Sequence, residues 1–271
     1  WHPVIDGKVI LDDPRKMLAN GQISSKVNII IGVNANEGTL AIRKGQDNRL
    51  NELLSHTYKK NEEYKKMYTE NKFGSKAKAG ATIFGDVQFI CPVRQLLLYL
   101  SEQKFNIYFY VFTKINSWEL ETYYGAAHGN EMRYISSIIE GEKPNDKGNY
   151  SSNEFNLAKT LKNFWVSFAK EGIPKDNLSK VTWNKYDSKK FNYIRLDDSI
   201  TNESLFKKSE CDLYDEAVPL LRITGNLNFL EDEKNSEKAN DSTNKIYDDK
   251  SEKIIFINKI LIVLVILILI L

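Results

Sequence analysis

Two short segments bring together residue types suited to proton transfer. Gly32-Val-Asn-Ala-Asn-Glu37-Gly38-Thr39 follows an apolar run, which puts Glu37 just past the end of a candidate buried strand. That is where layered α/β proteins place ligands and reacting groups. Tyr123-Tyr-Gly-Ala-Ala-His128-Gly-Asn-Glu131 sets a histidine among small residues. Small neighbours let the backbone pass closely and leave the imidazole accessible, and histidine is the side chain best matched to proton transfer near neutral pH. Taken singly, each has a plainer reading: Glu37 as an exposed loop glutamate, His128 as an ordinary surface or core histidine. His2 and His56 lack such a setting, and His56 lies in a Lys/Glu-rich stretch. Asp86 is a weaker competitor for the acid role.

The elements that must position this pair can be read from the hydrophobic pattern. Val27–Val33 and Asn106–Phe112 are continuous apolar runs, as expected of strands buried on both faces. Phe191–Leu196 alternates and reads as an edge strand. Phe155, Leu157, Ala158, Leu161, Phe164, Trp165 and Phe168 form one helical face, with Ser151 and Glu154 as a capping box and Gly172 and Pro174 as the stop. Pro92–Ser101 and Leu213–Leu221 read as further helices. Strands separated by helices predict an α/β layered fold.

Composition narrows the function. The chain has 271 residues, 27% charged and 42% hydrophobic, with a net charge of +2. So small a charge, without a basic stripe, argues against a nucleic-acid partner. Three histidines and no paired cysteines argue against a metal site. Cys91 and Cys211 are either two buried thiols or one long-range disulfide. Asn149, Asn177 and Asn202 each begin an Asn-x-Ser triplet, a glycosylation signal if the chain is secreted.

Three zones are expected: a globular domain over 1–224, a polar stalk over 225–253 and a hydrophobic tail over 254–271. As a helix the tail would reach about 27 Å, near the roughly 30 Å of a bilayer core, but Lys259 interrupts it. A single-span anchor, a tail anchor and a glycolipid-anchor signal compete. Small residues at Asn240–Thr243 followed by a polar spacer favour the glycolipid signal, and with it an extracellular, membrane-attached location. The opening Trp1-His-Pro-Val-Ile-Asp-Gly7 reads as the middle of a folded protein, so the chain is expected to be a fragment.

"GVNANEGT", "GDVQFICP", "GAAHGNE" and "FAKEGIP" resemble landmarks of the type B carboxylesterase and cholinesterase family, and they come in that family's order. Acid before histidine is also the chain order of α/β-hydrolases. The resemblance covers about residues 1–221 and implies the C-terminal half of an α/β-hydrolase fold. It implies Glu37 and His128 as triad acid and base, with Glu131 supporting the histidine loop from behind. Tyr123 and Tyr124 either line a substrate gorge, where they could hold a cation, or merely pack. It pairs Cys91 with Cys211 in a disulfide.

The family's activity implies hydrolysis of a small carboxylic ester, a choline ester or a general one, through an acyl-enzyme. It implies no cofactor, attachment to a membrane through the lipid anchor or tail, and leaves a homodimer open. The same family contains neuroligin-like adhesion proteins without catalysis, which is the rival reading. No Gly-x-Ser-x-Gly occurs in these residues. Without the serine the chain alone is expected to turn over no ester, and a sheet cut midway, with its strand edges exposed, is expected to fold poorly by itself.

Overall fold

The computed structural model describes residues 4–22, 27–51, 61–117, 123–136 and 150–217. The chain divides into two compact units, Trp1–Ser24 with Pro219–Leu271, and Ser25–Val218. In the first unit, the Asp6 carboxylate accepts hydrogen bonds from the N–H groups of Lys8, Val9 and Ile10. Helix α1 (Pro14–Ala19) follows, starting on a proline whose missing N–H the first turn does not need. His2, His56, Asn149 and the whole of 225–271 lie outside the described residues.

The second unit is built on a four-stranded sheet in the order β1-β2-β3-β4. Strands β1 (Asn28–Asn34) and β2 (Asn106–Phe112) run parallel and pair over their full length, from Asn28 opposite Asn106 to Asn34 opposite Phe112. The apolar run of β2 coincides with the strand; that of β1 is displaced by one residue. β3 (Asn192–Leu196) is parallel to β2, and β4 (Thr201–Ser204) is antiparallel to β3. The expectation that 191–196 forms an edge is therefore corrected. Its outer side is covered by β4, a short polar strand whose Thr-Asn-Glu-Ser sequence carries no apolar alternation.

Helices lie between the strands. After β1 come α2 (Asn61–Met67), α3 (Glu70–Phe73) and α4 (Lys76–Gly85). A π-helical turn over Asp86–Ile90 joins α4 to α5 (Cys91–Glu102). The continuous rod Lys76–Glu102 is long and apolar enough to cross a membrane, but most of it is buried in the protein, as in a core helix. After β2 come α6 (Met132–Ile135) and α7 (Ser152–Glu171). α8 (Lys208–Ala217) closes the described chain, beginning five residues before the expected Leu213; residues 218–221 lie outside the described ones.

α7 has the expected ends. Ser151 and Glu154 form the capping box, and Gly172 adopts the left-handed conformation that terminates the helix. Leu157, Ala158, Leu161 and Phe164 of α7 pack on Ile30, Tyr108, Tyr110, Phe112, Ile194 and Leu196 of the sheet. The alternate residues of β2, Ile107, Phe109 and Val111, are also buried and face the side on which α5 packs. Both faces of the sheet are thus covered, and the C-terminal ends of β1 and β2 are buried between the two layers.

Candidate active site

Because β1 and β2 are parallel and in register, the segments that leave them emerge side by side. Ala35 N–H donates to Phe112 O at 2.9 Å, and Asn36 forms an isolated parallel bridge with Ala127. The acid segment and the histidine segment are thus stitched together as a short continuation of the sheet. Asn36 N–H donates to Ala126 O, and Asn36 Oδ1 accepts from Ala126 N–H, both at 3.0 Å. Thr39 Oγ1 lies 2.9 Å from Asn36 O and 2.8 Å from Tyr124 O.

This clamp brings Glu37 Oε2 to 2.6 Å from His128 Nδ1. The other carboxylate oxygen, Oε1, accepts from Asn34 N–H at 2.6 Å, so both oxygens are fixed. A carboxylate accepts hydrogen bonds, so Nδ1 carries the imidazole proton and Nε2 keeps its lone pair. Glu37 is buried, with 7% of its side chain exposed, while His128 remains 57% exposed. One end of the couple is thus shielded and the other open. The hydrogen bond to Glu37 raises the His128 pKa above its ordinary value; desolvation opposes this, and the charges of Glu37 and Glu131 add to it.

Asn34, a residue that the sequence did not single out, organises the back of the site. Its Nδ2 donates to Ala127 O at 2.7 Å and to Glu131 Oε2 at 2.5 Å. Glu131 is thus held by the Asn34 amide, which also binds the Ala127 carbonyl, and burial raises its pKa. Asp86 does not compete for the histidine. It accepts from Tyr68 OH at 2.9 Å and pairs with Lys207 at 3.1 Å.

Two glycines let the acid loop approach α4. A Cβ on Gly38 would overlap Ala81 O and stand 2.7 Å from Gly85 N, and one on Gly85 would stand 3.3 Å from Glu37 Cβ. Phe89, on the π-helical turn, sets its ring 4.9 Å from the imidazole centre and walls one side of the histidine.

Tyr123 and Tyr124 stack edge to face at 5.5 Å. Tyr123 OH donates to Ile42 O at 2.7 Å, and burial, with smaller contributions from Tyr124 and Asp47, pushes its pKa up to about 12. Lys78 Nζ stands 5.0 Å from the Tyr123 ring centre and donates to Tyr123 O. Its contact with Tyr123 has no sequence signature, since it is one lysine among many.

Cys91 and Cys211 form a disulfide across 120 residues, which joins α5 to α8. Asn177 and Asn202 are both exposed, Asn177 on the loop after α7 and Asn202 on β4 with its amide donating to Thr182 O at 3.0 Å. Among the described residues, no group of His, Cys, Asp and Glu could hold a metal ion.

The carboxylesterase family model matches residues 1–214. Human neuroligin-2 is 25% identical over 232 residues, which cover 72% of this chain and 28% of neuroligin-2; the rat protein gives the same figures. Acetylcholinesterase of Bungarus fasciatus is 24% identical over 254 residues, covering 84% of this chain and 41% of that protein. The chain thus spans well under half the length of these relatives.

Proposed function

We propose that this chain, which belongs to the carboxylesterase family and has its α/β-hydrolase fold, supplies the acid and base of a carboxylic ester hydrolase. The observation that carries the proposal is the 2.6 Å couple between Glu37 and His128 Nδ1, buried at the acid and open at the histidine. Nε2 of His128 accepts the proton of a hydroxyl nucleophile as it attacks the ester carbonyl. The same proton is then handed to the departing alcohol, and a second cycle with water releases the acid from the acyl-enzyme. Glu37 holds the imidazole in the tautomer this requires and stabilises the imidazolium.

The nucleophile is supplied from outside these 271 residues, which contain no Gly-x-Ser-x-Gly. The 254–271 tail, read as a glycolipid-anchor signal, supports placing the enzyme on the extracellular face of the plasma membrane.

The test is turnover of short carboxylic thioesters by the full-length polypeptide that contains these residues, with and without His128→Ala. Loss of at least a thousandfold in kcat supports the reading; turnover indifferent to His128 refutes it. The similarity to neuroligin-2 favours a second reading, an adhesion protein in which the Glu37–His128 contact only braces two loops. On that reading the unsubstituted protein hydrolyses no ester, and His128→Ala leaves partner binding intact.

A further inference from the structure

The aromatic pair ahead of the histidine is where a positively charged substrate group would find a π face, because aromatic rings attract cations. At Tyr123 that place is taken by the protein itself. Lys78, on the first turn of α4, stands over the ring at 5.0 Å and donates to the Tyr123 carbonyl, while the phenol is committed to Ile42 O. Ring and carbonyl share the ammonium without neutralising it.

No carboxylate among the described residues pairs with Lys78. Asp47, whose charge reaches Tyr123, accepts from Ala77 N–H at 2.8 Å. The carboxylates of the site are engaged elsewhere, Glu37 with His128 and Glu131 with Asn34. Lys78 is half-buried, and desolvation lowers its pKa, as expected of a cation short of compensation. It is also coupled to the site: Thr39 ties the next carbonyl, Tyr124 O, to Asn36 O, the residue before Glu37.

We propose that Lys78 sets the charge preference of the site, admitting uncharged or anionic carboxylic esters and disfavouring those that carry a quaternary ammonium. The proposal rests on the esterase reading above. A second cation within about a Debye length of a partly buried ammonium is disfavoured roughly tenfold.

The experiment compares kcat/KM of the full-length polypeptide for acetylthiocholine and for its uncharged isostere S-(3,3-dimethylbutyl) thioacetate. It is run on the unsubstituted protein, Lys78→Gln and Lys78→Arg. Gln keeps an N–H donor for Tyr123 O but no charge, and the ratio of the two esters cancels any general loss of activity. The unsubstituted protein and Lys78→Arg are expected to favour the uncharged ester, and Lys78→Gln to raise the ratio of charged to uncharged about tenfold. Preference for acetylthiocholine by the unsubstituted protein, or a ratio unmoved in Lys78→Gln, overturns the proposal.

If no variant turns over either ester, the esterase reading fails first. Charge preference is then read by calorimetric binding of 3-(trimethylammonio)phenol against 3-tert-butylphenol. Tighter binding of the uncharged phenol that is lost in Lys78→Gln supports the role of Lys78. Equal binding of the two, or binding of neither, overturns it. If Lys78→Gln does not fold, Lys78→Met replaces it under the same criteria.

Discussion

Replacing Glu37 with Gln removes one charge from the couple and little else, since the two side chains have nearly the same shape. The carboxylate oxygen is 2.6 Å from Nδ1, which puts the charge centres about 4 Å apart. At an effective dielectric of 20 such a pair is worth about 4 kcal/mol. Halving this for an imidazole that is 57% exposed leaves about 2 kcal/mol of lost imidazolium stabilisation, a fall in kcat of roughly 30-fold. The glutamine amide can also donate to Nδ1 and so hold the wrong tautomer, which extends the expected loss toward the 10⁴-fold seen when an acid of this kind becomes an amide. KM for the same ester should change little, because no substrate contact is removed.

The pH dependence carries the sharper sign. Glu37 raises the His128 pKa, and the reaction needs the unprotonated imidazole. Glu37→Gln must therefore move the acidic limb of kcat/KM to lower pH while lowering the plateau. The assay is a pH–rate profile of the full-length polypeptide on an uncharged thioester. A kcat within threefold of the unsubstituted protein, with the limb unmoved, would refute the proposed roles of both residues.

Gly38→Ala should destabilise the protein by about 3 kcal/mol, because the new methyl meets backbone of α4 at Ala81 O and Gly85 N, neither of which can swing away; a denaturant midpoint close to that of the unsubstituted protein would contradict this. Lys207→Met leaves Asp86 buried without its cation; because the carboxyl can then protonate, the loss at pH 7 is about 1.5 kcal/mol. Burial raises the Asp86 pKa to about 6 despite Lys207. The neutral acid is therefore the form the fold prefers, and the difference in thermal stability from the unsubstituted protein should shrink as pH falls below about 6; a difference constant with pH would place the effect elsewhere. On expression through a secretory pathway, Asn177→Gln should remove one glycan and Asn202→Gln none, read by the electrophoretic shift on deglycosylation. Both asparagines are exposed, but Asn177 lies on a loop, whereas Asn202 is held in a strand with its amide engaged.

Where the physics was local, the sequence was legible. The β2 boundaries coincide with an unbroken apolar run, and the ends of α7 follow from a cap and a glycine whose partners lie within a few residues. β4 escaped notice because Thr201–Ser204 are polar and half-exposed, held in place by pairing with β3 rather than by burial. α8 was expected too late because its first turn, Lys208–Cys211, buries only the cysteine. Asn34 and Lys78 could not be found from spacing, since the atoms that give them meaning lie 93 and 45 residues away along the chain.

Glu37 and His128 are 91 residues apart, yet they were legible while Asn34 was not. The difference lies in what positions them. Each follows a strand that could be read independently, and two parallel strands buried on both faces deliver their C-terminal ends to the same edge of a sheet. In-register pairing from Asn28–Asn106 to Asn34–Phe112, continued by the Asn36–Ala127 bridge, carries that alignment to within one residue of each partner. The sheet makes the placement and the loops only complete it. Loosening the loops while leaving the strands intact should therefore weaken the couple without separating its members. Gly125→Ala does this, since its methyl would overlap Asn36 Oδ1 and the residue sits at a φ of +60°. Partial loss of kcat with the acidic limb still above that of Glu37→Gln is the outcome that follows. A limb that falls to the Glu37→Gln value would show that the loop, not the sheet, holds the acid to the base.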